Sequence, residues 1–184
     1  MFKPAIIIAS LVLLALFSGC NSTKPVQTMK TPLNQLSVSV EGDPMLIGRI
    51  DRSGLTNAPF SAWFDAEFNQ YEVNTVALRP VLGKTDDITI EVFMGTWCED
   101  SQREVPRFFK IIDYLKGNKD QLQLFALDNH PDRYKTSPQG EEKGKAIHLV
   151  PTFIFYRAGL ELGRISESPT ASLEEDMANI INKP

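Results

Sequence analysis

Residues 88–115 read ITIEVFMGTWCEDSQREVPRFFKIIDYL, and no other stretch restricts the possible folds as tightly. Residues 88–94 are a short apolar run rich in β-branched side chains, alternating only in part, as a buried central strand does. Gly95 and Thr96 break it. From Ser101 onward, Val105, Phe108, Phe109, Ile112 and Leu115 recur at helical spacing and form one apolar stripe. The segment therefore predicts a strand feeding a helix through a tight turn, with Cys98 at the junction. The free N–H groups of a helix's first turn and the positive end of its dipole stabilise an anion, which suits nucleophilic chemistry better than burial.

The N-terminus bears on whether that cysteine has a partner. Lys3 precedes an almost unbroken apolar run over residues 5–17, and Ser18 and Gly19 come just before Cys20. The run is short for a bilayer span and has the order of a secretory leader. Small residues directly before a cysteine make it resemble a bacterial lipoprotein leader, with Phe17 where that pattern prefers Leu. The resemblance implies cleavage after residue 19, a palmitate-bearing Cys20 and a membrane anchor. Asn21, rather than Asp, points to a periplasm-facing chain in the outer membrane more than the inner. An ordinary secretory signal or an uncleaved anchor helix is the alternative. The formal net charge is −4, more negative once Lys3 is lost, and no basic cluster offers a footprint for nucleic acid. With two cysteines in the chain, lipidation of Cys20 leaves Cys98 as the one thiol, which is unusual in an oxidising compartment.

Elsewhere the pattern gives strands at 122–127, 152–156 and 161–165, a short helix near 139–145, and a final amphipathic helix carrying Leu173, Met177, Ile180 and Ile181, with Ser168 and Pro169 as cap and first turn. Upstream, 37–40 and 46–50 read as strands and 71–82 as a short helix interrupted by Pro80. Phe60, Trp63, Phe64, Phe68 and Tyr71 read as core. The divisions are a leader at 1–19, a tether at 20–35, an N-terminal elaboration at 36–85 and an α/β domain at 86–184.

Residues 86–182 resemble the thioredoxin family at separate landmarks. Trp97-Cys98 matches the start of its WCGPC site, Pro106 matches the kinking proline of its long helix, and Val150-Pro151-Thr152 matches its cis-proline segment. The resemblance implies a thioredoxin-like fold, a central mixed sheet flanked by helices, with the elaboration added to it. It also implies that Val150, Pro151 and Thr152 lie beside the nucleophile and bind extended substrate. The departures are Glu99-Asp100 in place of Gly-Pro, Ser101 in place of the second cysteine, and Val92 in place of a buried aspartate, with Glu91 facing the other side of the strand. No dithiol cycle is available within the chain.

Three readings stay open. Cys98 performs monothiol exchange on protein or small-molecule disulfides, with Ser101 donating a hydrogen bond to its sulfur and Glu99 and Asp100 opposing a thiolate by like charge. Alternatively, the fold is a non-catalytic module that holds extended peptides at the cis-proline edge. In the third, Cys98 is a peroxidase-like sensor, which Thr96, two residues before it rather than three, disfavours. Expected partners are disulfide- or thiol-bearing proteins, or glutathione-like thiols. No cofactor or metal is expected, and His130 and His148 read as surface residues, with His148 near enough to Pro151 to approach the site rim.

Overall fold

The computed structural model describes residues 32–117 and 119–184. The leader, Cys20 and most of the tether lie outside these residues. A hairpin of β1 (Gln35–Val38) and β2 (Pro44–Ile50) opens the fold, and α1 (Arg52–Leu55), α2 (Ser61–Gln70) and α3 (Thr75–Leu78) follow. Next come β3 (Ile88–Met94), α4 (Glu99–Leu115), β4 (Leu122–Ala126), β5 (Thr152–Arg157), β6 (Leu160–Ser166) and α5 (Leu173–Ile181). The sheet order is β1-β2-β4-β3-β5-β6. β3 and β4 run parallel, joined through α4, while the other pairings are antiparallel. The fold is α/β and thioredoxin-like, a mixed sheet flanked by helices.

Period-two alternation on β3 sorts its side chains onto two faces. Ile88, Ile90, Val92 and Met94 enter the main core with Phe64 of α2, Val105 and Phe108 of α4, and Met177 of α5. Burying each such side chain contributes about 1.5–3 kcal/mol, so α4 is held mainly by its stripe and tolerates Pro106 in its interior. Glu91 and Phe93 face the other way. Phe93 joins a smaller cluster with Phe125, Leu127, Val150 and Ile154, against which Trp97, Cys98 and Ile147 pack. On this face Glu91 is ion-paired with Lys145 and accepts from the Tyr156 hydroxyl at 2.9 Å. Val92, where the thioredoxin resemblance implies an aspartate, is thus a fully buried residue of the apolar core.

Several boundaries differ from the sequence reading. The 20–35 tether ends too late: Asn34 is fixed by its side chain to Asp51 and Ser53, and Gln35 already pairs with Ile47. The strands expected at 37–40 and 46–50 lie at 35–38 and 44–50. The aromatic cluster is core, but it is carried by α2, a helix the sequence did not announce because Phe60 at its cap offers no capping side chain. The helix expected at 71–82 is broken: Tyr71 is extended at the end of α2, and after α3 a 3-10 turn spans Arg79–Val81. Residues 139–145 form turns rather than a helix, with Gly140, Gly144 and Ala146 at φ of 74°, 76° and 53°. The final helix begins at Leu173 because Ser172, not Ser168, accepts from the Glu175 N–H.

Two long-range locks hold the N-terminal segment to the rest. Glu174, buried at the start of α5, accepts from the Tyr71 hydroxyl at 2.9 Å and from the Asn74 N–H at 3.0 Å. Burial and the adjacent carboxylate push the Tyr71 hydroxyl far above its ordinary range, so it remains a donor. Arg52 spans Phe68 at 4.6 Å from the ring centre and bonds Asp113 of α4 at 2.7 Å. Among the described residues no helix is long and apolar enough to cross a membrane.

Candidate functional site

Cys98 caps α4 with extended backbone, φ −98° and ψ 123°. Its N–H donates to Gly95 O at 3.0 Å and its carbonyl accepts from Gln102 N at 2.9 Å, so the turn is closed on both sides. The thiol is free and partly exposed. Its Sγ donates to Val150 O at 3.3 Å, and the Val150–Pro151 bond is cis. The strand end and helix start therefore meet the loop before β5 at one sulfur, although Cys98 and Val150 are 52 residues apart in sequence. Of the residues singled out by the sequence, Trp97, Cys98, Val150 and Pro151 converge here.

Each neighbour is positioned by an identifiable bond. Trp97 Nε1 donates to Leu127 O at 2.8 Å, and its ring lies tilted against Tyr134 with centroids 5.7 Å apart. Gly95 lies directly beneath that ring: a Cβ there would come within 2.5 Å of Cε2. Thr152 turns its hydroxyl to Leu149 O at 2.7 Å and so braces the cis-proline loop instead of facing the thiol. Ser101 is fully buried and accepts from the Gly95 N–H at 3.2 Å. Its expected donation to the Cys98 sulfur has no counterpart among the described hydrogen bonds; the serine instead ties the helix to the strand end. Asp100 is paired with Arg103 at 2.6 Å, which offsets its charge, whereas Glu99 is exposed.

The sequence reading missed the positioning roles of Thr96, Gln102 and Asp128. Thr96 is buried and accepts from Leu46 N at 3.0 Å, tying the reactive turn to β2, while Gln102 Nε2 donates to Thr96 O at 2.8 Å. No local pattern announces a contact across 50 residues. Asp128, next to the carbonyl that holds Trp97, accepts from His130 Nδ1 at 2.7 Å and Arg133 Nε at 3.0 Å. His130 is thus tied to the loop behind Trp97. His148 offers its carbonyl to Lys135. Among the described residues no group of three or more His, Cys, Asp and Glu is placed to hold a metal ion.

Burial opposes ionisation of Asp128, but the hydrogen bonds from His130 and Arg133 outweigh it and hold the carboxyl below its ordinary value. Because the folded value is depressed, its contribution is full above the unfolded value of about 3.9 and is lost as pH falls through the lower folded one. Thermal unfolding of the parent and of Asp128→Asn should therefore differ most near neutral pH. The gap should narrow below about pH 4. A gap independent of pH would contradict this.

No family model matches the chain, and no curated protein matches it. Among solved structures, thioredoxin f2 of Chlamydomonas reinhardtii is similar at 17% identity and a TM-score of 0.32, covering 51% of this chain and 80% of that one. Mitochondrial thioredoxin 3 of Saccharomyces cerevisiae, in its oxidized form, is similar at 23% identity and a TM-score of 0.33, covering 57% and 92%. What assembles the site is this chain's own topology: a parallel β3–β4 pair joined through α4, and a cis-proline loop brought to the helix cap.

Proposed function

We propose that the chain carries out monothiol thiol–disulfide exchange through Cys98. The observation behind this reading is the placement of a free, partly exposed sulfur at the cap of α4, 3.3 Å from Val150 O beside the cis Val150–Pro151 bond. In the first step the Cys98 thiolate attacks one sulfur of a substrate disulfide. A new S–S bond forms, the old one breaks, and the departing sulfur leaves with the electron pair and takes a proton from solvent. An external low-molecular-weight or protein thiol then attacks the substrate sulfur of the adduct and releases Cys98 as a thiolate. The exposed side chains of Tyr134 and Leu149 give the substrate an apolar rim, and the Val150 backbone is the expected partner of an extended substrate. On this reading the protein is held at the membrane by a lipid on Cys20 and faces the periplasm, a placement that rests on the sequence of the leader.

Reduction of a disulfide-bonded test protein, with a small thiol as resolver, checks the reading. The parent should show thiol-dependent turnover that Cys98→Ser abolishes. Equal rates for the two would remove the enzyme reading.

A further inference from the structure

A groove of about 480 Å3 opens beside the reactive turn, between the β1–β2 turn and the start of α2. Thr96, Trp97 and Gln102 of the reactive turn belong to its wall, with Gln102 Nε2 bonded to Thr96 O at 2.8 Å, so the groove borders the turn that carries Cys98. Phe60 and Trp63 form an aromatic side, packed edge to face with centroids 6.5 Å apart. On the rim stand Glu41 and Asp43, both exposed. Glu41 is held in place by Asn129 Nδ2 at 2.8 Å, and its backbone N–H bonds Ser39 Oγ at 3.2 Å. A backbone hydrogen bond at Glu41 itself, then those from the Asn129 and Ser39 side chains, keep its carboxyl below the ordinary range. Among the described residues, none that lines the groove is Lys or Arg, and none forms an ion pair with Asp43. Aromatic side chains in a groove with carboxylates on its rim are surroundings that hold a guanidinium or ammonium group, through cation–π contact and charge-assisted hydrogen bonds.

We propose that this groove is a subsite for a basic side chain of the substrate polypeptide, lying next in the chain to the cysteine whose disulfide meets Cys98. The assignment rests on the reading of Cys98 as an exchange thiol. It makes the N-terminal hairpin the element that selects among disulfides: the thiol supplies chemistry, and Glu41, Asp43 and the Trp63 and Trp97 rings supply preference.

Two short peptides test it, each with one cysteine capped as a mixed disulfide with thionitrobenzoate. One carries arginines beside the cysteine and the other glutamates. Attack by the Cys98 thiolate on the peptide sulfur breaks the S–S bond, and thionitrobenzoate leaves with the electron pair as a coloured thiolate. The full chain should react about tenfold faster with the arginine peptide at low salt. That ratio should fall toward one at high salt and in the Glu41→Gln/Asp43→Asn double variant, whose side chains keep their size and one accepting oxygen each. The ratio is the readout, so a general change in thiol reactivity cancels. A low-salt ratio near one in the parent, or a ratio that survives in the double variant, overturns the subsite. If Cys98 reacts with neither peptide, the exchange reading fails and the groove is judged by calorimetry on Cys98→Ser with the same peptides carrying Ser for Cys. Tighter binding of the arginine peptide then upholds the subsite, and equal or absent binding overturns it.

Discussion

Gly95→Ala should lower the unfolding free energy by about 2–4 kcal/mol and slow the chemistry of Cys98 at least tenfold. Gly95 is not in the left-handed region, so the issue is space alone. The new Cβ would meet Trp97 Cε2 at 2.5 Å and Nε1 at 2.9 Å, well inside contact. The ring cannot step aside without breaking its bond to Leu127 O at 2.8 Å and its packing on Tyr134. Overpacking costs about 1–3 kcal/mol, and a lost hydrogen bond adds about 1. Denaturant unfolding reads the stability loss, and alkylation of Cys98 reads the displacement of the turn. Unchanged values for both would mean that the Trp97 ring does not fix the site.

Ser101→Cys should convert a trap into a releasing enzyme. Ser101 lies one helical turn from Cys98, at the spacing where side chains three apart are neighbours, about 5–6 Å between Cβ atoms. A new thiol there can attack the Cys98 sulfur of an adduct: an internal disulfide forms, the substrate leaves as a thiol, and an external reductant must then restore both thiols. Adduct lifetime should fall at least tenfold. The gain should be incomplete, because a thiol as fully buried as Ser101 is slow to ionise, and the fully buried Val92 of the adjoining strand offers no base. Intact mass after mild oxidation, with loss of two hydrogens, checks the internal bond. If neither that bond nor release is gained, residue 101 does not come within disulfide reach of the Cys98 sulfur.

What the sequence disclosed and what it hid follow a physical division. The β3–α4 junction and the β5–β6 hairpin were legible because each rests on local periodicity and turn residues, whereas the meeting of Cys98 with the Val150–Pro151 loop was expected only from the family resemblance. The helix α2 was not, since aromatic residues occupy it without a capping residue. The span 139–145 carries helix-forming Glu and Lys, but Gly140 and Gly144 at positive φ override them. The roles of Ser101 and Thr96 could not be read locally. Ser101 accepts from Gly95 behind the turn, and Thr96 bonds Leu46 across 50 residues. Likewise the hold of Asn129 on Glu41 and Val40 spans 88 and 89 residues, and it is this contact that brings the hairpin turn to the groove.

The central claim is that Cys98 is an exchange nucleophile without a resolver. Incubation of the folded chain with oxidised glutathione, followed by intact mass measurement and peptide mapping, tests it most directly. The account predicts one glutathionyl group on Cys98 that accumulates, persists until a reductant is added, and is missing in Cys98→Ser. A folded chain that stays unmodified at Cys98, while the denatured chain is modified there, would contradict it.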